Sequence, residues 1–160
     1  TVLQNVADGI AEKLTRQADP ARAKEFAQSP PKWPVFEETN IALRRLAAKY
    51  RLAIISNVDD ALISLTLQNI DVAFDAVMTS EQARSYKPDH SIFEQTVHRL
   101  DEEPRKIVHV AEGRCEAFPA TELGMRSIWI RRSSRSDDGS GATPTATVSS
   151  LAEVVAASGV

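Results

Sequence analysis

A single cysteine, Cys115, leaves an internal disulfide without its second half and suits a reducing, cytoplasmic setting. Positive charge is also scarce: 19 Lys and Arg stand against 22 Asp and Glu, for a net charge of −3. Nucleic-acid binding needs a concentrated basic face, so that class is set aside. The one basic run, "RRSSRS" at 131–136, is followed at once by two aspartates and reads as a solvated loop. No apolar stretch approaches the roughly 20 residues of a membrane span. The opening "TVLQNVADGIAEKL" is amphipathic and charged, so it is not a secretory signal. An initiator Met is missing as well, which fits either a processed start or a natural chain longer than this sequence.

What is present fits one domain: 160 residues, 42% hydrophobic. Leu3, Val6 or Ala7, Ile10 and Leu14 fall at helical spacing within 1–18. Asp19-Pro20 reads as an N-cap followed by Pro at the first helical position, opening a helix to about Gln28. The break "SPPKWP" at 29–34 marks the best boundary between subregions. A helix over 38–50 follows, with Ile41, Leu43, Leu46 and Ala47 on its apolar side.

From there the pattern alternates. Strands are predicted at 52–56, 76–80, 107–111 and 127–130, with helices at 59–69, 89–100, 116–123 and 150–157. Short apolar runs alternating with helices mean parallel strands covered on both faces. The fold class is therefore α/β: a three-layer, doubly wound, Rossmann-like parallel sheet. "DDGSGATPTAT" at 137–147 has no periodicity and reads as a flexible loop.

Ligands in such sheets bind at the carboxyl ends of the strands. Ser56 and Asn57 stand there, where a strand gives way to a helix whose N-terminus favours an anion. The same two residues also suit a simple cap or turn. Lys87, before a proline in the loop after the second strand, can neutralise an anion or stay in solvent. Glu112 and Glu116 lie four apart. On a helix that begins early they share one face and can hold magnesium, or else they are ordinary partners of the helix dipole. Cys115 beside Arg114 has the makings of a reactive thiolate but no local histidine as base. His109 within a strand, together with Met78, Trp33 and Trp129, reads most simply as core.

In this order the segments "WPVFEET", "YRLAIISNVDD", "FDAVMTSEQARSYKPD", "FEQTVHRL" and "HVAEGRCEAFPATELGMRSIWIRR" form a known pattern. From Trp33 to about Ile130 the chain resembles the haloacid dehalogenase superfamily. Within it the resemblance is to type II 2-haloacid dehalogenase-like proteins, especially fungal ones, and "VSSLAEVV" is similar to the family's last helix. The resemblance implies that Ser56 and Asn57 bind a substrate carboxylate or phosphate and that Lys87 stabilises a nucleophilic aspartate. Trp33 is a further candidate substrate contact. The fourth family motif, roughly Gly-Asp-Ser with an Asp three residues on, here reads "AEGRCE". Glu116 takes the last acid's place with one residue missing, or Ala117 does without a gap. The family's nucleophile sits in a D-x-x-x-T stretch ending its first strand. The one match here, Asp75 to Thr79, precedes a strand instead of ending one, so it is a false positive.

Residues 1–31 are then expected to be part of a helical cap and 32–160 the α/β core. In the family the first strand lies centrally. Without it, the strands at 52–56 and 107–111 are expected to pair directly, giving the order 76–80, 52–56, 107–111, 127–130. The main functional expectation is a small organic acid held between cap and core, with altered hydrolase motifs guiding isomerisation or cyclisation. The alternative is a piece of a hydrolytic dehalogenase or phosphatase whose aspartate lies outside these residues. Partners are expected to be a small carboxylate and a second copy in a homodimer, with no nucleic acid or membrane. No cofactor is expected, with magnesium only for a phosphatase-like member.

Overall fold

The computed structural model describes residues 2–14, 17, 19–132 and 143–158. Helix starts follow from local chemistry. Asp19 caps α2 (Pro20–Ala27), its carboxylate accepting from the N–H groups of Ala21 at 2.9 Å and Arg22 at 3.3 Å. Asp89 does the same for α6 (His90–Leu100) through the Ser91 N–H at 2.8 Å. The remaining helices are α1 (Val2–Lys13), α3 (Thr39–Ala47), α4 (Asp60–Thr66), α5 (Ser80–Ala83), α7 (Arg114–Glu122) and α8 (Leu151–Ser158). Gly124 ends α7 at φ 84°, a left-handed conformation that glycine adopts without strain, and turns the chain into the next strand.

The chain groups into two units: residues 1–35 with Ala61–Asn69, and Phe36–Asp60 with Ile70–Val160. The first is wider than the expected 1–31 segment, because most of α4 and the short 3₁₀ turn after it belong with α1 and α2. Within it α1 packs on α2, and the Asn69 side-chain amide donates to the Pro31 carbonyl at 2.8 Å. The expected stripe on α1 is only partly used: Leu3 and Ala7 are half-buried, while Val6, Ile10 and Leu14 are exposed.

The second unit holds the strands, β1 (Ala53–Ser56), β2 (Ala76–Thr79), β3 (Val108–Ala111), β4 (Arg126–Ile130) and β5 (Ala146–Val148). All pairings are parallel, as the runs of apolar residues require. Alternation along β1 places helices on both faces. Ile55 packs toward a core of Met78, Ile92, Phe93, Ala120 and Met125, while Leu52, three positions earlier, packs toward Ala42 and Leu46 of α3 and Val155 of α8.

Three expectations are corrected here. β1 does not pair with β3: the sheet is in two pieces, β1–β2 and β3–β4–β5. A four-residue strand held in place by its own helices keeps its position even with one edge unpaired, so direct pairing is not forced. Part of the stretch expected as loop forms β5, an edge strand beside β4, since Ala146–Val148 needs only one covered face; residues 137–142 lie outside the described residues. And Arg132 is not a solvated loop residue. Its guanidinium lies 2.8 Å from the Glu38 carboxylate and 3.7 Å over the Phe36 ring; residues 133–136 lie outside the described residues. Among the described residues no helix is long and apolar enough to cross a membrane.

Candidate functional site

β1 ends at Ser56, and Asn57 turns back over the loop that follows α5. Its amide makes a two-point clamp on one residue. Asn57 Nδ2 donates to the Lys87 carbonyl at 3.0 Å, and the Lys87 N–H donates to Asn57 Oδ1 at 2.7 Å. Both halves of the amide are thus spent on the backbone of Lys87, which fixes where that lysine emerges. Lys87 Nζ then donates to Glu116 Oε2 at 2.9 Å, with the two side chains 11% and 29% exposed. Glu116 stands in the first turn of α7, where the helix dipole favours a carboxylate. Asn57→Ala should cost about 1–2 kcal/mol, on the order of two ordinary hydrogen bonds, measured by urea unfolding. An unchanged midpoint would show that the clamp does not hold the loop.

Ser56 is half-buried opposite Thr79 in β2, and its hydroxyl makes no hydrogen bond among the described residues. Lys87, Glu116, Asn57 and Ser56 therefore gather at the carboxyl ends of the strands, as the sequence suggested. Of the two positions offered for the last acid, one lies beside the lysine. Glu116 meets the lysine, while Ala117 is fully buried.

Other candidates fall elsewhere. Glu112 precedes α7 and is exposed, so the two glutamates do not share a helical face. Glu116 already faces an ammonium group, and among the described residues no three His, Cys, Asp or Glu side chains gather to hold a metal ion. Trp33 is not core: it belongs to the first unit and is 53% exposed, its indole N–H donating to Ser29 Oγ at 3.1 Å. Met78 and Trp129 are core, and Trp129 Nε1 donates to the Glu112 carbonyl at 2.8 Å. The side chain of Cys115 lies outside what the structure describes. Asp75 stands before β2 and accepts from the Leu52 N–H at 2.9 Å, a structural use that agrees with its dismissal as nucleophile.

The helix N-terminus beyond β1 is not open in the way the sequence suggested. The Asp60 N–H donates to Glu81 Oε2 at 2.8 Å. The Asp60 carboxylate is engaged as well: Oδ1 accepts from Thr79 Oγ1 at 2.6 Å and Gln82 Nε2 at 2.7 Å. Thr79 in turn accepts from the Gln82 N–H at 3.1 Å and so caps α5. This network was missed, although Thr79 and Gln82 stand at the spacing of a capping box. The Ser56 hydroxyl stands at the end of β1, and the Lys87 ammonium has three donors, one of them on Glu116.

His109, one of the β3 residues, packs edge-on against Phe93, with ring centroids 5.2 Å apart. Burial, with the Lys87 charge adding to it, pushes its pKa down to about 4, so the imidazole is neutral at pH 7.

The model for haloacid dehalogenase-like hydrolases matches residues 6–130. The chain belongs to that family. An (S)-2-haloacid dehalogenase of Pseudomonas putida is 31% identical over 122 residues, 74% of this chain and 54% of that protein. Haloacid dehalogenase-like hydrolase domain-containing protein 3 of Mus musculus is 32% identical over 75% of this chain and 48% of that protein. The chain spans about half the length of the curated relatives it matches. Among solved structures, the L-2-haloacid dehalogenase from Xanthobacter autotrophicus with chloropropionic acid covalently bound superposes at TM-score 0.86. It is 16% identical and covers 96% of this chain and 72% of its own. A likeness at that identity is one of fold, and the α/β expectation holds.

Proposed function

We propose that these residues carry the anion-holding and lysine portion of a hydrolytic site for small 2-haloacids, completed by an aspartate outside residues 1–160. The carrying observation is Lys87, held by the Asn57 clamp at the end of β1 with its ammonium against Glu116. The named relatives, 2-haloacid dehalogenases in several bacteria, support hydrolysis. None of these named relatives supports the isomerisation or cyclisation reading, and nothing in the geometry asks for it.

In this reading the substrate carboxylate rests on the Ser56 hydroxyl. The external aspartate attacks the halogen-bearing carbon, halide leaves with the bonding pair, and water cleaves the resulting ester to a 2-hydroxy acid. Lys87 keeps the aspartate ionised, and Glu116 keeps Lys87 turned toward it. Lys87 is thus a preorganised charge, of a kind whose removal costs about 10²–10³-fold in kcat.

The test is chloride release from 2-chloropropionate by the full polypeptide that contains these residues. Release is expected, with a loss of about 10²-fold or more in Lys87→Ala, and residues 1–160 alone should release none. Absence of release from the full polypeptide, or release indifferent to Lys87→Ala, would overturn the assignment.

A further inference from the structure

The turn that carries Ser56 and Asn57 is stitched at both ends to one residue. Ser56 stands opposite Thr79 in the parallel register of β1 and β2. At Asp60 the chain comes back to it: Thr79 Oγ1 donates to Asp60 Oδ1 at 2.6 Å. Between the two ends, Ser80 Oγ donates to the Val58 carbonyl at 3.0 Å, and the Asn57 amide holds the backbone of Lys87.

The facing segment is α5, whose four residues are too few to hold themselves as a helix. Its side chains are spent on the turn instead. Ser80 takes the Val58 carbonyl, Glu81 accepts from the Asp60 N–H, and Gln82 Nε2 reaches Asp60 Oδ1 at 2.7 Å. Gln82 is fastened from behind by Arg99 of α6, whose Nη1 donates to Gln82 Oε1 at 2.6 Å and to the Val77 carbonyl at 2.9 Å. Lys87 follows α5 by four residues, so whatever sets α5 against the turn also sets the lysine.

Asp60 is the node of this stitching. A carboxylate can only accept, so the proton of the Thr79 hydroxyl points at Asp60 while a lone pair takes the Gln82 N–H at 3.1 Å. Thr79 is 0% exposed, and without Asp60 its proton loses the partner that a buried donor needs. Asn57 has no such shelter. It is exposed, water competes for both ends of its amide, and its grip on Lys87 depends on where the turn places it.

We infer that Asp60 is a positioning residue for Lys87. It fixes the far end of the turn, β1 fixes the near end, and the Asn57 amide between them is left one place in which to hold the lysine. Asp60 itself neither binds substrate nor takes part in the chemistry. The inference rests on the reading of Lys87 as the charge of the site, and adds what sets that charge in place. Displacing a catalytic group by about 1 Å can cost on the order of 10²-fold in rate, so a loosened turn is expected to show in turnover.

The test compares Asp60→Ala, Asp60→Asn and Gln82→Met in the full polypeptide that contains these residues. Hydrogen exchange is read by NMR at the Lys87 N–H, which Asn57 Oδ1 holds at 2.7 Å, against the Arg131 N–H, which the Val148 carbonyl holds at 2.7 Å. In Asp60→Ala the Lys87 N–H should exchange at least about tenfold faster, while Arg131 changes less than about twofold. Asp60→Asn keeps an oxygen that accepts from Thr79 and Gln82, and should stay within about threefold of the parent. Gln82→Met, at an exposed position, should quicken Lys87 by about threefold or more, and it carries the same comparison if Asp60→Ala does not fold. Chloride release should fall about tenfold or more in Asp60→Ala and recover in Asp60→Asn. Equal acceleration at Lys87 and Arg131 would reduce Asp60 to a stabiliser of the fold and overturn the inference. So would an unchanged Lys87 N–H in Asp60→Ala and Gln82→Met, or an Asn variant as fast as the Ala variant. If the parent releases no chloride, the hydrolytic reading falls, and the Lys87 exchange still decides this inference.

Discussion

Replacing Phe93 by alanine should destabilise the protein by about 3–5 kcal/mol, the largest effect expected of any single core change here. The residue is 0% exposed and lies in the cluster on which both half-sheets rest. Its ring meets the edge of His109 on β3, while Met78 and Ile55 approach the same cluster from β2 and β1. Removing it leaves a cavity that two separately paired strand groups must collapse around. Because β1 and β3 do not pair, no ladder of hydrogen bonds compensates for the lost packing. For a chain of this length the melting temperature should fall by about 10 °C or more. Thermal unfolding followed at two wavelengths, one reporting helices and one reporting Trp129 in a Trp33→Phe background, should show a single transition before Phe93 is replaced. A cost below about 1 kcal/mol would mean that the half-sheets do not share this core.

Much of this arrangement was legible because its signals are local. Asp19-Pro20 is a cap whose chemistry is complete within three residues, and it works as read; Asp89 caps α6 in the same way. The four expected strands fall within a residue of their predicted places, since each is a short apolar run between turn residues. Ser56, Asn57, Lys87 and Glu116 meet at the strand ends because parallel topology leaves them nowhere else to point. What the sequence did not show is mostly long-range. Asn57 was read as an anion contact or a turn residue, and the sequence does not show that both ends of its amide hold Lys87, thirty positions away. The partners of the Asp60 carboxylate, Thr79 and Gln82, and of Arg132, Glu38 and Phe36, are also far from them in sequence. No periodicity encodes such pairings. The sheet break was missed for another reason. Unpaired edges are costly, and that cost was taken to be removed by sliding strands together. Each strand instead takes its place from its own helix, β1 from α6 and β3 from α7.

Acidification should weaken the fold by about 3 kcal/mol between pH 6.5 and pH 4 through His109 alone. The imidazole's folded pKa is about 4, against an ordinary value of 6.5 in the unfolded chain. Between those values the unfolded chain takes up a proton that the folded protein refuses. The contribution is therefore complete above pH 6.5, falls as pH drops through the window, and is fully lost below pH 4. Burial is the main cause and the Lys87 charge the second, so Lys87→Ala should raise the His109 pKa only modestly. Replacing His109 by phenylalanine should remove this slope while keeping an aromatic ring against Phe93. It also removes a buried Nε2 that has no partner among the described residues, so the variant should be at least as stable at pH 7. Its advantage over the parent should then widen steadily toward pH 4, whereas ion pairs such as Lys87–Glu116 weaken with acid alike in both proteins. Urea unfolding at half-unit pH steps reads the difference between the two curves, and an NMR titration of the imidazole reads the pKa directly. Parallel curves, or an imidazole that titrates near 6.5, would mean that His109 reaches solvent and that the edge of β3 is open on the Phe93 side.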